Sequence, residues 1–416
     1  MNTIRQLSPE KAAVSPEQLL PLLDRQFTLK PFDPLTIEFF NSLSRFILTD
    51  KRLNRLAAFA ALGFWLRQAN INQIIRENRH LTESSSYSIE PLGIVFHVCP
   101  SNVDTMFIYS LAISLLMGNK NIIKLSSRLN NESVDYFIDG INSLLKDDKF
   151  GIFKHYLAFI TYSHDDEISG YFSLNADARI LWGGDQTIKF FNTFQTRPKS
   201  KDLVFADRVS AAVFKSRQFL ELSDSDKKET SRKFFNDTFT FDQLGCSSPQ
   251  VLFTIGTDVE NRQFTGEIYH LLNQFAVGQY DQDVYALANM KMNFLAGNVI
   301  DGLVASVIKS SNYLVFAELG ESVSEVHKSC GAGFLFVKHL ESADNIGNFI
   351  NRKVQTLSYF GLSAEELRVI GEISYSRGID RLVPVGMALN FDYIWDGYNL
   401  ADELCNKKRV IQIEKS

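Results

Sequence analysis

The sequence predicts an α/β protein with two α/β domains, each on a Rossmann-like parallel sheet, and three observations carry that prediction. From residue 92 onward, short β-rich runs alternate with helical segments, as strand–helix–strand units do. A charged helical stretch beginning at residue 216, SRQFLELSDSDKKETSRKFFNDTF, interrupts the alternation, and a second series of strands follows it. The chain of 416 residues, 45% hydrophobic and 22% charged, is long and apolar enough for two cores.

The first 90 residues read mostly as helix: PLTIEFFNSLSRFILTD and LNRLAAFAALGFWLRQANINQIIRENRH carry apolar residues at intervals of three and four. LGIVFHV is a short strand ended by Pro100. DTMFIYSLAISLLMG then reads as a helix, with Asp104 as its cap and Gly118 as its stop. Apolar nearly all round, that helix is expected to lie buried against the sheet. NIIKL completes the first strand–helix–strand unit, and YLAFITY, ARILWG and SAAVF continue the series. Beyond the charged stretch, VLFTIG opens the second region. The helical FTGEIYHLLNQFA and the strands YLVFAEL and GFLFVKHL complete it.

Composition excludes several classes. A net charge of −5 and a pI near 5.9 give no basic face for nucleic acid, and KDDKF and CNKKRV are balanced by nearby acids. The start MNTIRQLSPEKAAVSPEQLL lacks the continuous apolar segment of an export signal. LAAFAALGFWL and FIYSLAISLLM are about half the length of a membrane span. Cysteines at 99, 246, 330 and 405 form no CxxC pair and are too sparse for a disulfide framework. Seven scattered histidines show no metal-binding spacing. A cytoplasmic protein without a metal is the expectation.

Three loops leave predicted strand ends, where ligands gather in open α/β sheets. In CPSNVD (99–104), Asn102 either offers a side-chain amide where negative charge develops on oxygen or only turns the backbone. KLSSR (124–128) presents Lys124, Ser126, Ser127 and Arg128, a set that can bind a phosphorylated ribose or be merely solvated. WGGDQ (182–186) places Gly183 and Gly184 where a backbone can approach a pyrophosphate, although Asp185 would repel that group and can instead cap a helix. No GxGxxG is present. In DQLGCSSPQ (242–250), Cys246 stands between Gly245 and two serines, with Gln243 nearby. Polar donors favour a thiolate there, and a buried structural thiol is the alternative.

These segments occur in a recognisable order. PSNVDTMFIYSLAISLLMGNKNIIKLSS resembles the Pro-x-Asn loop, long helix and Lys-x-Ser strand end of the aldehyde dehydrogenase superfamily. Within it, FDQLGCSSPQVLF, WGGDQTI, VQTLSYFG, GIDRLVPVGMALNFDYIWDGY and LGFWLRQANI resemble the LuxC-type acyl-CoA reductases, from about residue 55 to 405. The resemblance implies that fold and a set of roles. Cys246 would be the nucleophile and Asn102 the oxyanion donor. Lys124, with Ser126, Ser127, Arg128, Gly183 and Gly184, would bind the cofactor. NAD-preferring relatives carry a glutamate three residues after the lysine. Ser127 and Arg128 stand there instead, and they would accept a 2′-phosphate, so NADPH is expected. The glutamate base of hydrolytic relatives has no clear counterpart in VFADRVSAAVF: Phe205 falls near it and Asp207 is two residues away.

The resemblance therefore implies a reduction of an acyl-CoA, fatty acyl above all, to the aldehyde, with coenzyme A released. Residues 1–215 would form the N-terminal helices and cofactor-binding domain, and residues 216–416 the cysteine domain with its C-terminal signature segment. It also implies cooperation with an acyl-activating synthetase and a homo-oligomer. A hydrolytic aldehyde dehydrogenase and a catalytically silent binding subunit are the rival readings.

Overall fold

The computed structural model describes residues 3–23, 28–100, 103–127, 131–280, 282–375 and 377–411. The chain forms two compact units, one of residues 1–206 with 391–416, the other of residues 207–390.

The first unit holds β1 (Ile4–Ser8), β2 (Ala12–Val14), β3 (Tyr87–Pro91), β4 (Ile94–Val98), β5 (Lys120–Lys124), β6 (Leu157–Thr161), β7 (Ala178–Trp182) and β8 (Lys201–Phe205). Seven of them form one sheet in the order β2-β1-β6-β5-β4-β7-β8. The run from β6 to β8 is parallel, and β1 and β2 add an antiparallel edge. The helix Met106–Leu116 between β4 and β5 is buried from Phe107 to Leu116, as its all-round apolar sequence requires. It ends at Gly118, whose φ of +81° is the left-handed stop a glycine adopts freely. Its start differs from expectation. Thr105 occupies the cap position without a side-chain cap bond, and Asp104 instead accepts a hydrogen bond from Asn131 Nδ2.

The second unit holds β9 (Val209–Lys215), β10 (Pro249–Ile255), β11 (Val304–Ser310), β12 (Val315–Leu319), β13 (Phe334–Leu340), β14 (Val354–Phe360) and β15 (Arg381–Pro384). Their order is β11-β12-β13-β10-β9-β14-β15, parallel throughout except for the antiparallel edge strand β11. Side chains alternate between two cores, one on each face. Val209, Ala211, Val213, Val251 and Phe253 enter one core, and Ala212, Phe214, Leu252 and Leu335 the other.

These units divide the chain differently from the expected split at 215/216. β9 pairs with β10 and β14, so it belongs with the cysteine-bearing sheet. Residues 391–411 return to the first unit, where β16 (Ile394–Trp395) pairs with β17 (Tyr398–Asn399) and β18 (Cys405–Arg409) pairs with β3. Hydrogen bonds fasten this return: Trp65 Nε1 donates to Phe391 O at 3.0 Å, and Asn119 Nδ2 to Leu404 O at 2.8 Å. No helix among the described residues is long and apolar enough to cross a membrane.

Candidate active site

In the first sheet β4 lies between β5 and β7, and successive strands are added on opposite sides of it. The carboxyl ends of β4 and β7 therefore flank the switch point where open α/β sheets bind ligands. CPSNVD leaves the end of β4, WGGDQ the end of β7, and Lys124 closes β5. A buried polar network ties these elements together. His97 Nε2 donates to Asn121 Oδ1 at 2.9 Å, and His97 Nδ1 accepts from Ser110 Oγ at 2.8 Å. Ser110 Oγ in turn accepts from Trp182 Nε1 at 3.2 Å. Desolvation holds the His97 imidazole neutral, with its pKa down to about 4.

Lys124 is half-buried, its ammonium 4.8 Å from the centroid of the Tyr162 ring. Desolvation lowers its pKa, and the neighbouring Cys99 opposes that shift. Ser126 is half-buried and Ser127 exposed. Gly183 donates its N–H to Phe205 O at 3.1 Å, and a Cβ there would meet the Thr187 side chain at 3.0 Å. A Cβ on Gly184 would meet nothing within 4 Å, so the space over that backbone is open to a ligand. Asp185 does not cap the following helix; it is the first residue of Asp185–Phe191, and Gly184 holds the cap position. Asn102 and Arg128 lie outside the described residues.

In the second unit Cys246 precedes β10, at the amino end of the parallel strands, and is half-buried. Ser248 N donates to Gly245 O at 3.0 Å, closing a turn whose first central residue is Cys246. The Cys246 carbonyl accepts from Ser210 Oγ at 2.7 Å, and Ser210 Oγ accepts from Thr356 N at 3.1 Å. The chain reaches this turn through three successive left-handed residues, Phe241 (φ 58°), Asp242 (φ 54°) and Gln243 (φ 63°). Each costs roughly 1–2 kcal/mol in an L-residue, so the loop persists only because its surroundings fix it.

A second left-handed run supplies much of that support: Gly331 (φ 81°), Ala332 (φ 53°) and Gly333 (φ 82°). Ala332 N donates to Asp242 O at 2.9 Å, and a Cβ on Gly331 would sit 2.9 Å from that same oxygen. Tyr280 OH donates to Asp242 Oδ1 at 2.8 Å. Behind the run, Lys291 is only 1% exposed and donates to Ala332 O at 2.8 Å and Tyr313 O at 2.9 Å. Burial brings its ammonium down to about 8. Sequence reasoning passed over Lys291, Tyr280, Ser210 and Gln250. Lys291 did leave a signal, as the one charged residue of the helix Val284–Ile300.

The other thiols sit in settings that suppress ionisation. Desolvation pushes Cys330 and Cys405 up to about 11 and Cys99 higher still. In VFADRVSAAVF, the stretch expected to correspond to the base of hydrolytic relatives, Phe205 is buried and stacked on Trp182 at 3.8 Å. Asp207 is ion-paired with Lys328 at 2.7 Å.

Two sheets of this topology make up an aldehyde dehydrogenase-like fold. Solved structures agree on the fold. Aldehyde dehydrogenase 21 from Physcomitrella patens, in complex with the reaction product succinate, superposes with a TM-score of 0.66 at 9% identity, covering 97% of this chain and 92% of that one. AldH from Staphylococcus aureus gives 0.64 at 14% identity, covering 97% and 96%. Glyceraldehyde-3-phosphate dehydrogenase GapN from Methanocaldococcus jannaschii, complexed with NADP, gives 0.62 at 12%, covering 95% and 91%. Residues 39–406 match the acyl-CoA reductase (LuxC) family, and the chain belongs to that family of oxidoreductases. It is also 24% identical over 314 residues to the long-chain acyl-protein thioester reductase of Aliivibrio fischeri, covering 72% of this chain and 59% of that relative's length.

Proposed function

We propose that this protein reduces a fatty acyl thioester, with acyl-CoA as donor, to the aldehyde through an acyl-cysteine at Cys246. The observation that carries the reading is the half-buried Cys246 at the tip of a preorganised turn, while burial suppresses the other three thiols. The Cys246 thiolate attacks the thioester carbonyl, a C–S bond forms to Cys246, and the bond to coenzyme A breaks with release of its thiolate. Asn102 is assigned the side-chain donor to the oxyanion. NADPH, when bound, supplies the hydride that converts the acyl-cysteine to a hemithioacetal, which collapses to aldehyde and the Cys246 thiolate.

The residues present fit such a cofactor. Open space lies over Gly184, and Lys124 closes β5 beside the switch point, with Ser126 half-buried and Ser127 exposed just beyond it. Lys124, Ser126, Ser127, Arg128, Gly183 and Gly184 are the residues assigned to hold it. Ser127 and Arg128 favour NADPH over NADH, because hydroxyls and a guanidinium accept a 2′-phosphate that a carboxylate would repel. Burial of Phe205 and the ion pair of Asp207 support a persistent acyl-enzyme over the hydrolytic alternative.

An acyl-activating synthetase partner accords with the acyl-protein thioester reductase among the relatives. Self-association is supported by the helix Val284–Ile300, which exposes Tyr285, Met292, Val299 and Ile300 and carries no exposed charge. We assign the protein to the cytoplasm. Product analysis tests the reaction. Acyl-CoA with NADPH is expected to yield aldehyde and free coenzyme A. Rapid carboxylic acid formation from aldehyde and NADP⁺ without coenzyme A would overturn the reading in favour of hydrolysis, and no turnover or acylation with any thioester would favour a silent subunit.

A further inference from the structure

DQLGCSSPQ places two glutamines, Gln243 and Gln250, almost symmetrically about Cys246. Both are buried, at 2% and 4% exposure. Gln243 Nε2 donates to Pro249 O at 2.7 Å, closing the loop from its amino side. Gln250 Nε2 donates to Gln243 O at 3.0 Å and Ser248 O at 3.2 Å, closing it from the other. Gln243 also reaches the left-handed run opposite, and Gln250 reaches Ser329 just before it. Gln243 Nε2 donates to Phe334 O at 3.0 Å, and Gln243 Oε1 accepts from Gly333 N at 3.0 Å. Gln250 Oε1 accepts from Ser329 Oγ at 2.6 Å and Ser329 N at 3.2 Å.

All four amide N–H donors are therefore used, and every one of their acceptors is a backbone carbonyl of the cysteine loop or of Phe334. A carboxylate cannot donate, and an asparagine is one methylene short of reaching both sides. Packing alone would be served equally by methionine or leucine. An amide with both donors and its acceptor engaged fixes the loop's position instead of merely filling volume.

We propose that Gln243 and Gln250 are positioning residues, a reciprocal pair of clamps that holds the Cys246 turn and the left-handed residues leading into it, and so fixes where the sulfur meets the acyl carbon. The proposal rests on the reading of Cys246 as the acylated nucleophile. Its consequence is that loosening either clamp lowers the rate of acylation while leaving donor binding alone, because a misplaced nucleophile loses orientation and not affinity.

The test uses the full-length protein as wild type, Gln243→Met, Gln250→Met and Ser329→Ala. The serine variant removes a single hydroxyl from the Gln250 clamp and so carries little folding risk. Single-turnover acylation by a long-chain acyl-CoA is followed by intact mass, and iodoacetamide alkylation of Cys246 is followed across pH. The glutamine variants are expected to acylate roughly 10- to 100-fold more slowly, with the acyl-CoA concentration for half-maximal rate nearly unchanged. Ser329→Ala is expected to lose roughly 3- to 10-fold, one bond of that clamp. The alkylation pH profile shifts in the same variants. A purely structural role would lower the reactive fraction and leave the rate constant and the profile in place. Wild-type rates and profiles in Ser329→Ala and in whichever glutamine variants fold would overturn the clamp. If wild-type Cys246 alkylates but accepts no acyl group, the function proposed above fails. The clamp then stands or falls on whether the alkylation profile moves.

Discussion

Acidification probes the switch-point network through one residue. His97 lies in β4, fully buried, and its ring bonds to Ser110 and Asn121 with only one ring proton available. Protonation forces a second N–H against Ser110 Oγ, which already receives the Trp182 indole. The unfolded chain takes up this proton near the ordinary 6.5, the folded chain near 4. Between those values the unfolded state holds more protons, so the folded state loses stability as pH falls. At about 1.4 kcal/mol per pH unit, His97 removes about 3 kcal/mol from pH 6.5 to pH 4. Asp237, whose carboxyl burial pushes up to about 7, contributes the opposite slope from its place in the second unit. Comparison with His97→Gln cancels that and every other carboxylate. Urea titrations are read by tryptophan fluorescence, which reports the first unit because Trp65, Trp182 and Trp395 all lie in it. The variant is expected to start less stable and to lose less on acidification. Parallel stability curves for the two proteins would refute the argument.

Three further outcomes are expected. Cys246→Ser abolishes aldehyde formation, while Asn102→Ala retains a trace, about 3–4 kcal/mol up in barrier, as measured by single-turnover kinetics. Ser127→Glu lowers the preference for NADPH over NADH by about tenfold or more, read as the ratio of kcat/KM values, since a carboxylate repels the 2′-phosphate. Phe214→Ala, at a 0% exposed ring packed on Phe219, Phe234, Phe264 and Phe360, costs about 3–5 kcal/mol in denaturant titration of the second unit.

The inner strands were legible because each is a contiguous apolar run: β4, β5, β6, β7, β9, β10, β12 and β13 all fall where LGIVFHV, NIIKL and their successors predict them. Of the two large sheets, β1, β2, β8, β11, β14 and β15 were missed. They lie at or near sheet edges, where one side is exposed and the pattern is mixed. RQLSPEKAAV, with its proline, reads as no element at all, yet it supplies the antiparallel edge through main-chain pairing. The return of residues 391–411 to the first unit was illegible because long-range contacts specify it: the pairing of β18 with β3 and hydrogen bonds from Trp65 and Asn119 to distant backbone. Composition singled out Cys246 as the cysteine in polar company. It could not reveal the left-handed run before it, since Phe241 and Gln243 are not residues that visit that conformation and a lone Asp242 does not announce a run of three. Tertiary hydrogen bonds impose it.

The central claim, that one sulfur carries the acyl group, is tested most directly by incubating the protein with a panel of acyl-CoAs, without reductant, and measuring intact mass followed by peptide mapping. The account predicts a single acyl adduct on Cys246, discharged as aldehyde on addition of NADPH and absent in Cys246→Ser. An adduct on another residue, or aldehyde formation by Cys246→Ser at the wild-type rate, would contradict it.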